Sequence, residues 1–177
     1  MVLFSVIYKV FGLYKKIIFM SRYDGLTGLM NRQYFDEQLD ESIAMATKNN
    51  EILKIIMFDL DNLKLIKDSC GHLAGDQLII RFTELLKRSF DHSHYFGRIG
   101  GDEFVGVFRQ DICNELDLYL DELRKTFMDN ELQFNHDLAT SFSYGVAIVP
   151  ESATDIKGLI KEADIKMYNH KLMMKKN

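Results

Sequence analysis

The chain has 177 residues, 47% of them hydrophobic, with 13 Phe and 8 Tyr. That suffices for one packed core and falls short of two. Twenty-two basic against 26 acidic side chains give a net charge of −4, so no basic excess exists to follow a nucleic-acid backbone, and a DNA- or RNA-binding module is set aside.

Cys70 and Cys113 stand far apart without a CxxC or zinc spacing, and read as reduced thiols of a cytoplasmic protein. A single proline, Pro150, argues against linkers and disordered tracts. Residues 1–20, MVLFSVIYKVFGLYKKIIFM, are apolar and aromatic but interrupted by Lys9, Lys15 and Lys16. A spanning helix wants about 20 mostly apolar residues, and neither a basic start nor a small-residue cleavage site marks a signal peptide. The pattern predicts a helix over 1–22 that packs on the domain or on a second copy of it. A helix lying on a membrane surface, lysines toward the headgroups, is the less favoured reading.

From Asn31, a candidate N-cap, RQYFDEQLDESIAMA places Phe35, Leu39, Ile43 and Ala46 on one helical face, and Asn49 and Asn50 break it. ILKIIMFDLD follows, a β-branched apolar run expected to form a buried central strand ending in Asp59 and Asp61. After Gly71 and Gly75 a helix is expected, with Leu78, Phe82, Leu85 and Leu86 at core spacing. Two short strands, 95–99 and 104–108, flank Gly100 and Gly101 and predict a tight hairpin, since both glycines can take positive φ. A further helix aligns Leu116, Tyr119, Leu120, Leu123 and Phe127, LATSFSYGVAIVP reads as a strand, and a last helix from about Asp155 aligns Ile156, Leu159, Ile160, Ala163 and Met167. Hairpin strands beside strand–helix crossovers imply an α+β sandwich, a mixed sheet with helices packed on it.

No GxxxxGK[ST] or GxGxxG loop offers a phosphate cradle, and no GxSxG elbow or HExxH helix is present. Carboxylates instead gather at the ends of β elements. Asp59 and Asp61, two apart, start on one face of a strand, and the turn bearing Asp102 and Glu103 could lie beside them. Oxygen ligands on a rigid sheet suit Mg²⁺, which keeps room in its shell for substrate phosphates, and two such ions can clamp a displacement at phosphorus. Singly, each acid is an ordinary solvated strand end.

RIGGDEF at 98–104 matches the motif of the GGDEF (diguanylate cyclase) family letter for letter. Four further blocks occur in the family's order. DGLTGLMNRQYF at 24–35 resembles DxLTGLxNRRxF, and FDLDNLKLIKDSCGHLAGD at 58–76 resembles DLDxFKxINDxxGHxxGD. SYGVAIVP at 143–150 resembles the SxGxA strand, and EADIKMYNHK at 162–171 resembles the ADxAxYxAK helix. The similarity covers residues 23–177 and implies a palm-like domain akin to nucleotidyl cyclases, preceded by the helix over 1–22. The implied activity is condensation of two GTP into cyclic di-GMP with release of pyrophosphate, dependent on Mg²⁺ or, in its place, Mn²⁺, at the interface of an antiparallel homodimer.

By the same resemblance Asp59, the Leu60 carbonyl and Asp102 bind metal, and Asp102 accepts the 3′-hydroxyl proton with Glu103 beside it. Gly100 and Gly101 let the triphosphate approach, Lys64 stabilises the transferring phosphate, and Lys171 and Lys175 contact the terminal phosphates. Asp76, four residues after His72, contacts guanine. Three departures stand out. Lys67 occupies the place of a guanine-reading Asn, Leu63 that of a Phe, and Asp91-His92-Ser93-His94 that of the RxxD product-inhibition site, so no inhibition through that site is expected. The other reading is a weak or degenerate GGDEF domain, a regulatory or dimerisation module.

Overall fold

A computed structural model of the chain describes residues 2–90, 94–109, 116–129, 140–149 and 155–174. Helix α1 (Val2–Arg22) leads into the two-residue strand β1 (Met30–Asn31) and helix α2 (Arg32–Asn49). Asn31 caps α2, its side chain accepting from the Tyr34 N–H at 3.0 Å, and Asn50 ends it in the left-handed region at φ 54°. The β-branched run forms β2 (Leu53–Asp61), followed by α3 (Leu63–Cys70) and α4 (His72–Ser89). The rest is β3 (Tyr95–Arg98), β4 (Glu103–Arg109), α5 (Leu116–Asp129), β5 (Ser141–Val149) and α6 (Ile156–Met174).

The strands form one mixed sheet in the order β1-β3-β4-β2-β5, parallel only between β1 and β3. Strand alternation divides β2 between two cores. Ile56, Phe58 and Leu60 point toward α4 and α5, where Phe82 meets Phe104 and Phe142 at ring separations of 5.0 Å. Ile55 and Met57 point toward α2 and α6. Helices on both faces of a mixed sheet make the expected α+β sandwich.

Three features go beyond these expectations. Helix α3 was not anticipated, because LKLIKDSC is too short to show a period; Asn62, left-handed at φ 61°, turns the chain from β2 into it, and Gly71 at φ 88° separates it from α4. Gly75 therefore lies inside α4. The hairpin exists, but neither Gly100 nor Gly101 takes positive φ. Its connection is wider than two residues and closes when the Ile99 and Gly100 N–H groups both donate to the Glu103 carbonyl, at 3.0 and 3.3 Å. Finally, of the two surfaces expected to receive α1, its own domain leaves most of the helix uncovered. Phe4, Ile7, Phe11, Tyr14 and Ile17 are exposed, and the helix is anchored at its end, where Phe19 stacks on Tyr23 at 4.7 Å and the Asn31 amide donates to the Ser21 carbonyl at 2.7 Å. Among the described residues no helix is long and apolar enough to cross a membrane.

Candidate functional site

The tail of β2 sits between two antiparallel neighbours, so Asp59 has Glu103 of β4 directly opposite on one side and Ser143 of β5 on the other. Directly opposed residues share a face, and this face carries Ile55 and Met57 toward α6. Asp59 and Asp61 therefore point at that helix, and Lys171 of α6 reaches them. Its ammonium donates to Asp59 Oδ1 and lies 4.0 Å from Asp61 Oδ1. The Ser143 hydroxyl donates to both oxygens of Asp61, at 3.2 and 3.3 Å. The Leu60 N–H donates to the Asp102 carbonyl at 3.0 Å. In an antiparallel ladder a residue's N–H and C=O point to the same neighbour, so the Leu60 carbonyl also faces the glycine hairpin. A cavity of about 470 Å³ opens here, bounded by Asp59, Glu103, Asp164, Tyr168, Lys171 and Leu172.

Charge in this site is unbalanced. Burial pushes the Asp59 carboxyl above its ordinary value; the Lys171 hydrogen bond and charge oppose that, while Asp102 and Asp61 add to it. Burial, then Asp102, Asp59 and Asp164, raises Glu103 as well. Burial would lower Lys171, but the hydrogen bond and charge of Asp59, followed by Asp61 and Asp102, outweigh it and raise the ammonium. The acids rise first because they are buried and then because they crowd one another, and the base rises because the carboxylates around it outweigh its burial; one ammonium faces more carboxylates than it can neutralise. That deficit is what a divalent cation corrects, and an ammonium seated on Asp59 marks a place where positive charge is bound. The donor set of hard oxygens fits Mg²⁺ or Mn²⁺. Among the described residues, however, no three acidic, His or Cys side chains already converge on an ion-sized point.

The hairpin is braced from a distance. Arg98 pairs with Asp24 at 3.2 Å and donates to the Gly101 carbonyl at 2.9 Å. Asp24 is fixed in turn by the Thr27 N–H and hydroxyl, at 2.9 and 2.7 Å, and Lys87 of α4 donates to the Thr27 carbonyl at 2.9 Å. Burial would raise the Asp24 carboxyl; the two Thr27 bonds and the Arg98 guanidinium overcome it and hold Asp24 below its ordinary value. The DGLTG block thus acts as a clamp on the GGDEF loop. Asp24 and Thr27, three apart, have the spacing of a carboxylate that accepts from a backbone N–H one turn on, a local signal the sequence carries.

The predicted residues divide into two groups. Asp59, Leu60, Asp102, Glu103 and Lys171 come together at the end of β2. Lys64, Lys67, His72 and Asp76 stand on α3 and α4 and do not line the acidic cavity. Lys64 and His72 are exposed, Lys67 and Asp76 half-buried. The Lys67 stem lies over Gly75, where an added Cβ would come within 2.4 Å of Lys67 Cγ, so this lysine runs along α4 one residue from Asp76. At Gly100 a Cβ would meet the Glu103 carboxylate at 2.5 Å, whereas nothing stands within 4 Å of one at Gly101, leaving that backbone open to approach. Lys175 lies outside the described residues, as do Asp91, His92 and Ser93. The His94 ring lies tilted against Phe108 at a ring separation of 5.0 Å. Asp61, expected on the same face as Asp59, joins the site, as does Ser143, to which sequence reading gave no role there, and Gly145, two residues beyond Ser143, lets α6 approach the sheet. A larger cavity of about 710 Å³ beside β5, bounded by Tyr144, Lys166 and His170, contains none of the β2 carboxylates.

Residues 21–177 match the family described as "Diguanylate cyclase, GGDEF domain". The diguanylate cyclase DgcP of Escherichia coli is 33% identical over 159 residues, which are 88% of this chain and 46% of that protein. The cyclic di-GMP phosphodiesterase PdeB of Shewanella oneidensis is 36% identical over 150 residues, 82% of this chain and 17% of that protein. The crystal structure of the coiled coil and GGDEF domain of DgcB from Caulobacter crescentus in complex with c-di-GMP superposes with a TM-score of 0.83 at 25% identity. It covers 94% of this chain and 89% of that one. The chain therefore spans between about a sixth and about half of these two curated relatives.

Proposed function

Because the chain belongs to the GGDEF domain family, whose matching description is diguanylate cyclase, we propose that it condenses two GTP into cyclic di-GMP with release of pyrophosphate. Each subunit of a homodimer holds one GTP, and the reaction runs in the cytoplasm. The observation that carries this reading is the seating of buried Asp59 opposite Glu103, with Asp102 tied to the same strand and a cation already drawn to the carboxylates.

In this reading Asp59, the Leu60 carbonyl and Asp102 hold Mg²⁺ or Mn²⁺, which when bound polarises the α-phosphate and offsets charge on the departing pyrophosphate. Asp102 takes the proton from the attacking 3′-hydroxyl, and Glu103, whose carboxyl burial and neighbouring acids raise, stands ready beside it. The open backbone at Gly101 admits the triphosphate. Lys171 and Lys175 bind its terminal phosphates as point charges, and Lys64 stabilises the transferring group. Asp76 hydrogen-bonds guanine from α4. The purified chain incubated with GTP and Mg²⁺, with products resolved by chromatography, is expected to yield a cyclic dinucleotide and pyrophosphate. GTP left intact by a dimeric preparation would favour the second reading, a regulatory module, which Lys67 alone supports.

Lys67 bears on selectivity. An Asn donates and accepts along a base edge, whereas an ammonium only donates. Its stem over Gly75 keeps it beside Asp76, within reach of acceptors such as O6 or N7 of guanine. Losing one polar pairing costs about 1–3 kcal/mol, which weakens purine discrimination without removing chemistry. The expected result is a GTP-over-ATP preference lower than that of the Lys67→Asn variant by roughly tenfold. Equal preference in the two proteins, with unchanged KM for GTP, would refute this role.

A further inference from the structure

We propose that Lys171 is a built-in counter-ion to the carboxylates read as metal ligands, so that a divalent ion enters only as the lysine transfers to the incoming triphosphate. This rests on the cyclase reading and adds to it a coupling between metal loading and nucleotide loading.

The geometry is specific. Lys171 does not point to solvent, as a lysine waiting for phosphate would. It donates to Asp59 and sits 4.0 Å from Asp61. Its side chain is 25% exposed, against 13% for Asp59 and 15% for Asp61. Asp61 is itself immobilised by the fully buried Ser143 hydroxyl. A carboxylate as enclosed as Asp59 requires a positive partner, since an uncompensated buried charge is strongly unfavourable. Lys171 is the only lysine or arginine paired with Asp59 among the described residues.

Ammonium and metal compete for the same oxygen. An ammonium–carboxylate bond has its nitrogen about 2.7–2.9 Å from the oxygen, while Mg²⁺ sits about 2.0–2.1 Å away. An ammonium and a dication held on one carboxylate repel each other at close range, so binding the metal at Asp59 favours moving the lysine. A lysine chain is long and rotatable enough to do so while α6 stays in place. Displaced without a new partner, its charge would face the metal; a triphosphate supplies that partner. Metal without nucleotide should therefore bind poorly.

The test is Mn²⁺ binding followed by electron paramagnetic resonance, with and without a non-reacting GTP analogue, on the wild-type chain, Lys171→Gln and Lys171→Arg. Gln keeps a neutral hydrogen bond to Asp59, and Arg keeps the charge. Without nucleotide, Lys171→Gln is expected to bind Mn²⁺ at least about tenfold more tightly than wild type, while Lys171→Arg stays weak. In parallel, Mn²⁺ alone should raise the melting temperature of Lys171→Gln and leave that of wild type nearly unchanged. Equal Mn²⁺ affinity of the wild type and the Gln variant without nucleotide, with tight binding in the presence of the analogue, would overturn the counter-ion role and leave the cyclase site standing. No Mn²⁺ binding to any of the three with the analogue present would overturn both.

Discussion

Replacing Gly145 by alanine is expected to destabilise the domain by about 2–3 kcal/mol and to lower its melting temperature by roughly 4–12 °C. An added Cβ would stand 2.1 Å from the Ala163 carbonyl oxygen and 2.2 Å from the Met167 nitrogen. Both are backbone atoms of α6, so no side-chain rotation relieves the contact; the helix must lift away from β5. Ala163, Met167 and Leu159 would lose their packing on Ile55, Met57 and Val105. Lys171 lies on the same helix, one turn beyond Met167, and would be drawn off Asp59. Product formation should therefore fall with stability, and cooling should restore the fold without full activity. Gly101→Ala is the control: nothing lies within 4 Å of its Cβ and its φ is not positive, so its melting temperature should stay close to wild type. A melting temperature for Gly145→Ala equal to that of Gly101→Ala would contradict this account of the α6–sheet contact.

That contrast shows where sequence reading stops. The β2 run, Asn31 as a cap and the core face Phe35-Leu39-Ile43-Ala46 were legible because each rests on local period or local capping chemistry. Helix α3 was not, because eight residues bracketed by left-handed Asn62 and Gly71 offer no period to count. Gly100 and Gly101 mark the hairpin but not its backbone, since adjacent glycines permit positive φ without requiring it. Gly145 carried a signal: a glycine inside a strand points to close approach by another element, though the sequence does not say which.

The site was legible in its letters and not in its wiring. Asp59 and Lys171 are 112 positions apart, and no spacing rule joins them; the resemblance supplied Lys171 only as a phosphate ligand. Arg98 and Asp24, 74 apart, look in sequence like ends of two unrelated motifs and prove to be one clamp on the Gly101 carbonyl. The fate of α1 depends on what covers Phe4, Ile7, Phe11 and Tyr14, which the domain itself does not.

Removing the Asp102 side chain should separate chemistry from folding more sharply than any other change. Its structural contribution is the carbonyl, which accepts from the Leu60 N–H at 3.0 Å, and Asp102→Ala keeps that bond. Its carboxylate, half-buried immediately before β4, crowds two others: its charge is among the causes that raise both Asp59 and Glu103. A carboxyl raised in the folded state contributes stability that is present below its unfolded value and lost as pH rises through the folded value. At neutral pH without metal, the acidic cluster is therefore a net cost, and deleting one member eases it. In a chelating buffer the variant should melt at or slightly above the wild-type temperature. Cyclic dinucleotide formation should nevertheless fall by on the order of 10³-fold or more, since both the proton acceptor and a metal ligand are lost. With Asp102 gone, Glu103 loses one raising influence, so its titration should move toward its ordinary value and any residual rate should keep its acid limb at lower pH. Substantial product from a well-folded Asp102→Ala chain would remove Asp102 from the reaction. A stable variant that makes none would leave no structural explanation for the loss.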